Sequence, residues 1–235
     1  MPTDLELMAI QVRALFTSDA ESRLLLVNEP GNIVTPAPHF FLGRTPAGNV
    51  MRFRADLPDE LVQELKALCT DEPPLRKAFD EPPRHVERYV QLLEKYALVE
   101  RVWAGPAYHF SENTSPLRQP VVVTENNGEV LKGGFEKLLE ELPLWQPFVA
   151  LIKDGKAVSV CRSVRMTAEA HEAGVETLPD YRGRGYAKDV VAGWAQRVRA
   201  VGALPLYSTS WDNEASQAVA RSLKLKFYGA DFHMG

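Results

Sequence analysis

The sequence predicts an α+β protein, α/β in the broad sense, with a mixed central sheet flanked by helices and an extra N-terminal α+β region. Three observations carry this. Strand-like and helix-like apolar patterns alternate along the C-terminal half. An Asp154-Gly155 pair joins two apolar runs in FVALIKDGKAVSVC, a strong short hairpin signal and an antiparallel one. The N-terminal half combines another hairpin with several helices, and strands that both precede and follow helices point to a mixed sheet.

Taken in order, Leu5, Met8, Val12 and Leu15 stand at helical spacing, which predicts an amphipathic helix over residues about 4–16. PHFFLGRTPAGNVMRFRADLP reads as a hairpin turning at Pro46-Ala47-Gly48-Asn49. Pro58 opens a helix through Leu61, Leu65 and Leu68. After a proline-rich loop, Val86, Tyr89, Val90, Leu93 and Tyr96 make the apolar stripe of another helix, and its tyrosines are read as core. The polar stretch SENTSPLRQP, residues 111–120, carries two prolines and divides the chain into 1–115 and 117–235.

Beyond that boundary, PVVVT is a predicted strand and Phe135, Leu138, Leu139 and Leu142 a predicted helix. The Asp154-Gly155 hairpin follows, then the strand AHEAGVETL. Val190, Val191, Trp194, Ala195, Val198 and Val201 mark a helix by their gaps of three and four. LPLYSTS (strand), NEASQAVARSL (helix) and the extended LKFYGADFHM complete the chain.

Composition narrows the function. The formal charge is 27 − 31 = −4, which argues against a general nucleic-acid binder. It is uneven: eight Lys/Arg against four Asp/Glu from Arg182 onward is +4, leaving −8 elsewhere, so an anionic ligand belongs at the C-terminal end. Cys69 and Cys161 lie far apart with no metal-ligand spacing, so neither a disulfide scaffold nor a metal site is expected. The acidic N-terminus lacks a signal-peptide pattern, and no run approaches the roughly 20 apolar residues of a membrane span. The expectation is a protein of the reducing cytoplasm with no membrane or nucleic-acid partner.

The stretch YRGRGYAKDVVAGWAQ, 181–196, bears the chemistry. It joins a strand ending near Leu178 to a helix, so Arg182–Ala187 occupies a strand-to-helix turn where backbone N–H groups are free and the helix dipole is positive. Gly183 and Gly185 let the backbone approach a phosphate, and Arg182 and Arg184 add charge. A P-loop would need Gly-Lys-Ser/Thr, and a dinucleotide fingerprint would need glycine where Lys188 stands. Neither fits.

Arg182-x-x-Gly185-x-Ala187 does resemble the coenzyme A signature of the GCN5-related N-acetyltransferase (GNAT) family, Gln/Arg-x-x-Gly-x-Gly/Ala. The surroundings agree: VETLPDYRGRGYA is similar to that family's apolar strand and proline loop, and YSTSWDNEAS supplies a strand followed by a helix that begins with Asn213. The resemblance covers residues about 117–235; residues 1–115 have no counterpart and are expected to form an accessory region on the acceptor side.

The resemblance implies an acetyl-CoA-dependent N-acetyltransferase that moves an acetyl group directly from the thioester to a primary amine of a small molecule, peptide or protein. It implies two splayed parallel strands with the pantetheine arm along Val175, Glu176, Thr177 and Leu178. The pyrophosphate would rest on Arg182, Gly183, Arg184, Gly185, Tyr186 and Ala187, and Asn213 and Ser216 would face the thiol. No metal is implied. For proton removal, His171 stands where the histone-acetylating branch has a glutamate, with Glu172 and Glu176 on the opposite face of the strand. The tyrosine that many relatives place seven residues after the asparagine is Ala220 here, which leaves Ser216 to protonate the thiolate. The rival reading is a catalytically degenerate domain that binds coenzyme A as a sensor or partner module. A homodimer is left open, as are the acceptor's identity and the acyl-chain preference.

Overall fold

The structure, a computed structural model, describes residues 2–31, 34–76 and 79–235. Helix α1 (Asp4–Leu15) starts at a capping box in which Thr3 and Glu6 satisfy each other's backbone N–H groups. Strands β1 (Phe16–Ser18) and β2 (Leu24–Val27) pair as a small separate ribbon. The hairpin β3 (Phe40–Thr45) and β4 (Gly48–Phe53) turns at Pro46-Ala47. Two helices follow, α2 (Asp59–Asp71), beginning directly after Pro58, and α3 (Val86–Leu93). Strand β5 (Val102–His109) closes the N-terminal half.

The C-terminal half runs through β6 (Val121–Val122), β7 (Phe148–Lys153), β8 (Lys156–Met166), β9 (Ala170–Thr177) and α4 (Tyr186–Ala200). It ends with β10 (Leu204–Ser208), α5 (Glu214–Ser222) and β11 (Lys226–Met234). Asp154 and Gly155, both at positive φ, make the β7–β8 turn that the sequence predicts. The predicted helix at Phe135–Leu142 is instead a single 3₁₀ turn, Glu136–Leu138. Gly133 and Gly134 at positive φ precede it and Pro143 follows, and the few residues between are too short to sustain an α-helix. Its apolar spacing still does its work, because Phe135, Leu138 and Leu142 are buried against Phe148, Ala150 and Val160.

Nine strands form one sheet in the order β4-β3-β11-β5-β10-β9-β8-β7-β6. All neighbours are antiparallel except β9 and β10. The expected mixed sheet flanked by helices is therefore present, and residues 1–115 supply three of its strands. β5 lies between β10 and β11, pairing Ser208↔Ala107 on one side and Met234↔Val102 on the other. Helix α4 buries Val190, Val191, Trp194 and Val198 on one face, over Val149, Leu151, Val158 and Cys161. The opposite face is covered by the 125–142 segment and by α1, whose Met8 and Val12 meet Phe41, Ala107, Leu206 and Tyr228. Helices α2 and α3 pack on Phe40, Leu42, Phe53 and Phe232.

Candidate active site

The parallel pair creates the site. β9 and β10 are in register over only three residue pairs, Leu204↔Ala170, Pro205↔His171 and Leu206↔Glu172. Each then follows its outer neighbour: β9 stays with β8 as far as Ser159↔Thr177, and β10 stays with β5 as far as Ser208↔Ala107. The strands part, and the inner edge of β9 from Ala173 to Thr177 has no strand beside it among the described residues. A cleft of about 970 Å³ opens there. Val175, Glu176, Thr177 and Leu178 line one wall, and Asn213, Ser216 and Val219 of α5 line the other.

The cleft ends at the start of α4. Gly183 and Gly185 have φ of +73° and +77°, a region side chains enter only with strain, so the glycines are required by the backbone. Gly185 is the residue preceding the first helical turn, and Arg182, Gly183, Tyr186, Ala187 and Lys188 line this end with it. Arg182 is braced by a hydrogen bond from Nε to the Thr177 carbonyl, 3.3 Å. Arg184 does not line the cleft; its guanidinium lies 5.4 Å from the ring centroid of Tyr181, which does.

On the opposite wall, the Asn213 side chain accepts the Ser216 backbone N–H at 3.0 Å, an N-cap that starts α5. Ser216 Oγ lies 2.6 Å from the Tyr207 hydroxyl. Tyr207 is buried, and burial pushes its phenol well above the ordinary tyrosine range, so it stays protonated. The serine expected at the thiol end is thus backed by a buried tyrosine.

The three candidates for proton removal are separated. His171 does not line the cleft. Its Nδ1 is 2.9 Å from Ser163 Oγ, which also accepts Trp194 Nε1–H at 3.0 Å, and burial lowers its pKa. It belongs to the α4 face of the sheet. Glu176 does line the cleft, but both its oxygens are in ion pairs, Oε1 with Arg162 Nη2 at 2.9 Å and Oε2 with Lys137 Nζ at 3.1 Å. Glu172, read from sequence only as a neighbour, is the last residue of β9 to pair with β10, at the point where the strands part, and like His171 it does not itself line the cleft. It is buried, Oε2 accepts from Ser208 Oγ at 3.2 Å, and Oε1 has no partner among the described residues. Burial, then the like charge of Asp231, pushes it up to about 8. Asp231 is itself buried, held by Gln11 Nε2 and Trp103 Nε1 at 3.0 Å each. Strand alternation was the available signal: Ala173 and Val175 pack toward α4 with His171, so Glu172 must face the other side.

Residues 148–229 match the family model described as GNAT acetyltransferase. This part of the chain is a GNAT domain. A GCN5-related N-acetyltransferase from Kribbella flavida is 16% identical and aligns over 100% of this chain and 96% of its own, with a TM-score of 0.50, so the GNAT-type fold extends to the N-terminal half. A GCN5-related N-acetyltransferase-like protein from Streptococcus suis is 16% identical over 85% of both chains, TM-score 0.45. A GNAT-family protein from Novosphingobium aromaticivorans is 18% identical, TM-score 0.46, over 58% of this chain and 65% of that one, less than two thirds of its length. Curated proteins yield no match. Within the GNAT domain lie the parted strands, the glycine turn, Asn213 and Ser216; β5 and the segment before β6 lie outside it.

Among the described residues no helix is long and apolar enough to cross a membrane, and no group of His, Cys, Asp and Glu is placed to hold a metal ion.

Proposed function

We propose that this chain is an acetyl-CoA-dependent N-acetyltransferase acting on a primary amine in the cytoplasm, where its buried, unpaired Cys69 and Cys161 remain reduced. The observation that carries the reading is the parting of β9 from β10 into a cleft that ends on two left-handed glycines at a helix start. The free edge of β9 suits an extended amide-bearing arm, which it can bind as a strand binds its neighbour. The turn suits a pyrophosphate, since its two glycines leave the backbone uncovered, with nothing within 4 Å of a Cβ position on Gly183. The co-substrate supplies an acyl group activated as a thioester.

The chain's own residues then divide the work. An amine is protonated at neutral pH and must lose its proton before nitrogen can attack the carbonyl carbon. Glu172, with Oε1 unengaged where the strands part, is the group we assign to accept that proton, acting in its ionised form, whose share grows as pH rises toward 8. A backbone N–H on the free edge of β9 can stabilise the oxyanion that develops. As the C–S bond breaks, Ser216 gives its proton to the thiolate and is recharged through the Tyr207 hydroxyl. The nitrogen gives up two protons in all: the first ends on Glu172, and the second, lost as the adduct collapses to the amide, replaces the one that the Ser216–Tyr207 pair gave to the thiol, so charge balances.

Incubation with acetyl-CoA and a panel of amines, peptides and aminoglycosides, following free thiol and acetylated product together, tests this. Equal release of thiol and product supports an acetyltransferase. Tight binding of acetyl-CoA without product across the panel would favour the sensor reading.

A further inference from the structure

We infer that Arg118, from the segment that joins the two halves of the chain, is a phosphate ligand of coenzyme A; this rests on the coenzyme A reading above. Arg118 lies well ahead of residues 148–229, which match the family model, and the sequence places it in a proline-bearing connection. The structure lays that connection across the first turns of α4. Two anchors hold it. Asp189, fourth in the helix and 1% exposed, accepts the Leu117 backbone N–H at 3.0 Å and Arg118 Nη1 at 2.5 Å. One turn further, Gly193 carries no side chain because a Cβ there would stand 2.6 Å from Pro120 Cγ. The anchors are four residues apart and therefore share one helix face.

This fixes the guanidinium at the mouth of the glycine turn. Its Cζ lies 5.1 Å from the Tyr186 ring centroid, and Nη1 lies 3.8 Å from where a Cβ on Gly185 would be. Asp189 is its side-chain partner, yet the arginine side chain remains 46% exposed, so its other N–H groups face outward. A carboxylate in the first turn of an anion-binding helix would by itself repel a phosphate. Arg118 cancels that charge and, with Arg182 and Lys188, leaves 3 − 1 = +2 around the turn. A planar guanidinium already held on one edge is suited to present the other to phosphate oxygens. Asp189 is then a positioning residue and Arg118 the ligand.

Calorimetric titration of the full chain with coenzyme A over a range of salt concentrations tests the assignment. Arg118→Gln is expected to weaken binding about tenfold or more and to flatten the dependence of affinity on salt, because one phosphate contact is lost. Arg118→Lys should recover part of the affinity. Removing Arg118 alone leaves Asp189 buried and uncompensated, so Arg118→Gln with Asp189→Asn serves as the second variant, with circular dichroism and melting temperature recorded for each. Repeating the titrations with 3′-dephospho-coenzyme A identifies the phosphate: a persisting loss marks the pyrophosphate, a vanished one the 3′-phosphate. Unchanged affinity, or an unchanged salt dependence, in a folded variant would overturn the proposal. Failure of the unaltered protein to bind coenzyme A would instead remove the functional reading on which it rests.

Discussion

Replacing Gly185 with valine separates the backbone requirement of the turn from its role in binding. At φ +77° a β-branched residue carries strain of about 1–3 kcal/mol. Nothing else opposes the substitution in the free protein. The new Cβ would meet Lys188 Cε at 3.4 Å and Arg118 Nη1 at 3.8 Å, both ordinary van der Waals distances. Gly202, after α4, offers a matched control: its φ is +85°, nothing lies within 4 Å of its Cβ position, and it does not line the cleft. Valine at either position should therefore lower the melting temperature by a similar amount, about 5 °C for a chain of this size. Only Gly185→Val also puts a branched side chain where the phosphate must approach. Its affinity for coenzyme A should fall more than tenfold, at least about 1.4 kcal/mol, while Gly202→Val binds normally. Scanning calorimetry and isothermal titration on both variants decide the matter. Unchanged affinity in a folded Gly185→Val protein would refute the reasoning, and so would an equal loss in Gly202→Val.

Ser216→Ala and Tyr207→Phe, which remove either end of the 2.6 Å hydroxyl pair, should each lower kcat about tenfold to a hundredfold with acetyl-CoA affinity nearly intact, as steady-state kinetics with an identified acceptor would show. Burial pushes Glu172 up to about 8 and Asp231 up to about 7, so between about pH 4 and 8 the folded state binds more protons than the unfolded one. Stability contributed by that difference is present in acid and lost as pH rises. Melting temperature should therefore drop by several degrees from pH 5 to pH 9, and Glu172→Gln should reduce the drop; a flat profile would contradict the burial of this pair. A fragment of residues 117–235 should fail to fold as a soluble monomer, because removing β5 exposes the facing edges of β10 and β11; a well-dispersed amide NMR spectrum from that fragment would prove this wrong.

What could be read from the chain alone was most of what near neighbours in sequence set. The bounds of α1, α2 and α4 follow from apolar spacing and from Thr3, Pro58 and Gly185 at their starts, and the β7–β8 turn follows from Asp154-Gly155. The glycine turn and Asn213 were legible for the same reason, since a helix start acts only on the few residues around it. The 3₁₀ turn at Glu136–Leu138 was missed because apolar spacing records which residues are buried, and Gly133, Gly134 and Pro143 decided the backbone. Tertiary structure decided the rest. Neither β5 lying between β10 and β11, nor Arg118 crossing α4, nor Gln11 and Trp103 converging on Asp231 has a local signature. Those partners are 71 to 220 residues apart along the chain. Strand pairing leaves only an alternation of faces in the sequence, so it shows that His171 and Glu172 point opposite ways. Which of the two faces is covered by α4, and which meets the vertex of the parted strands, depends on what packs against each side of the sheet.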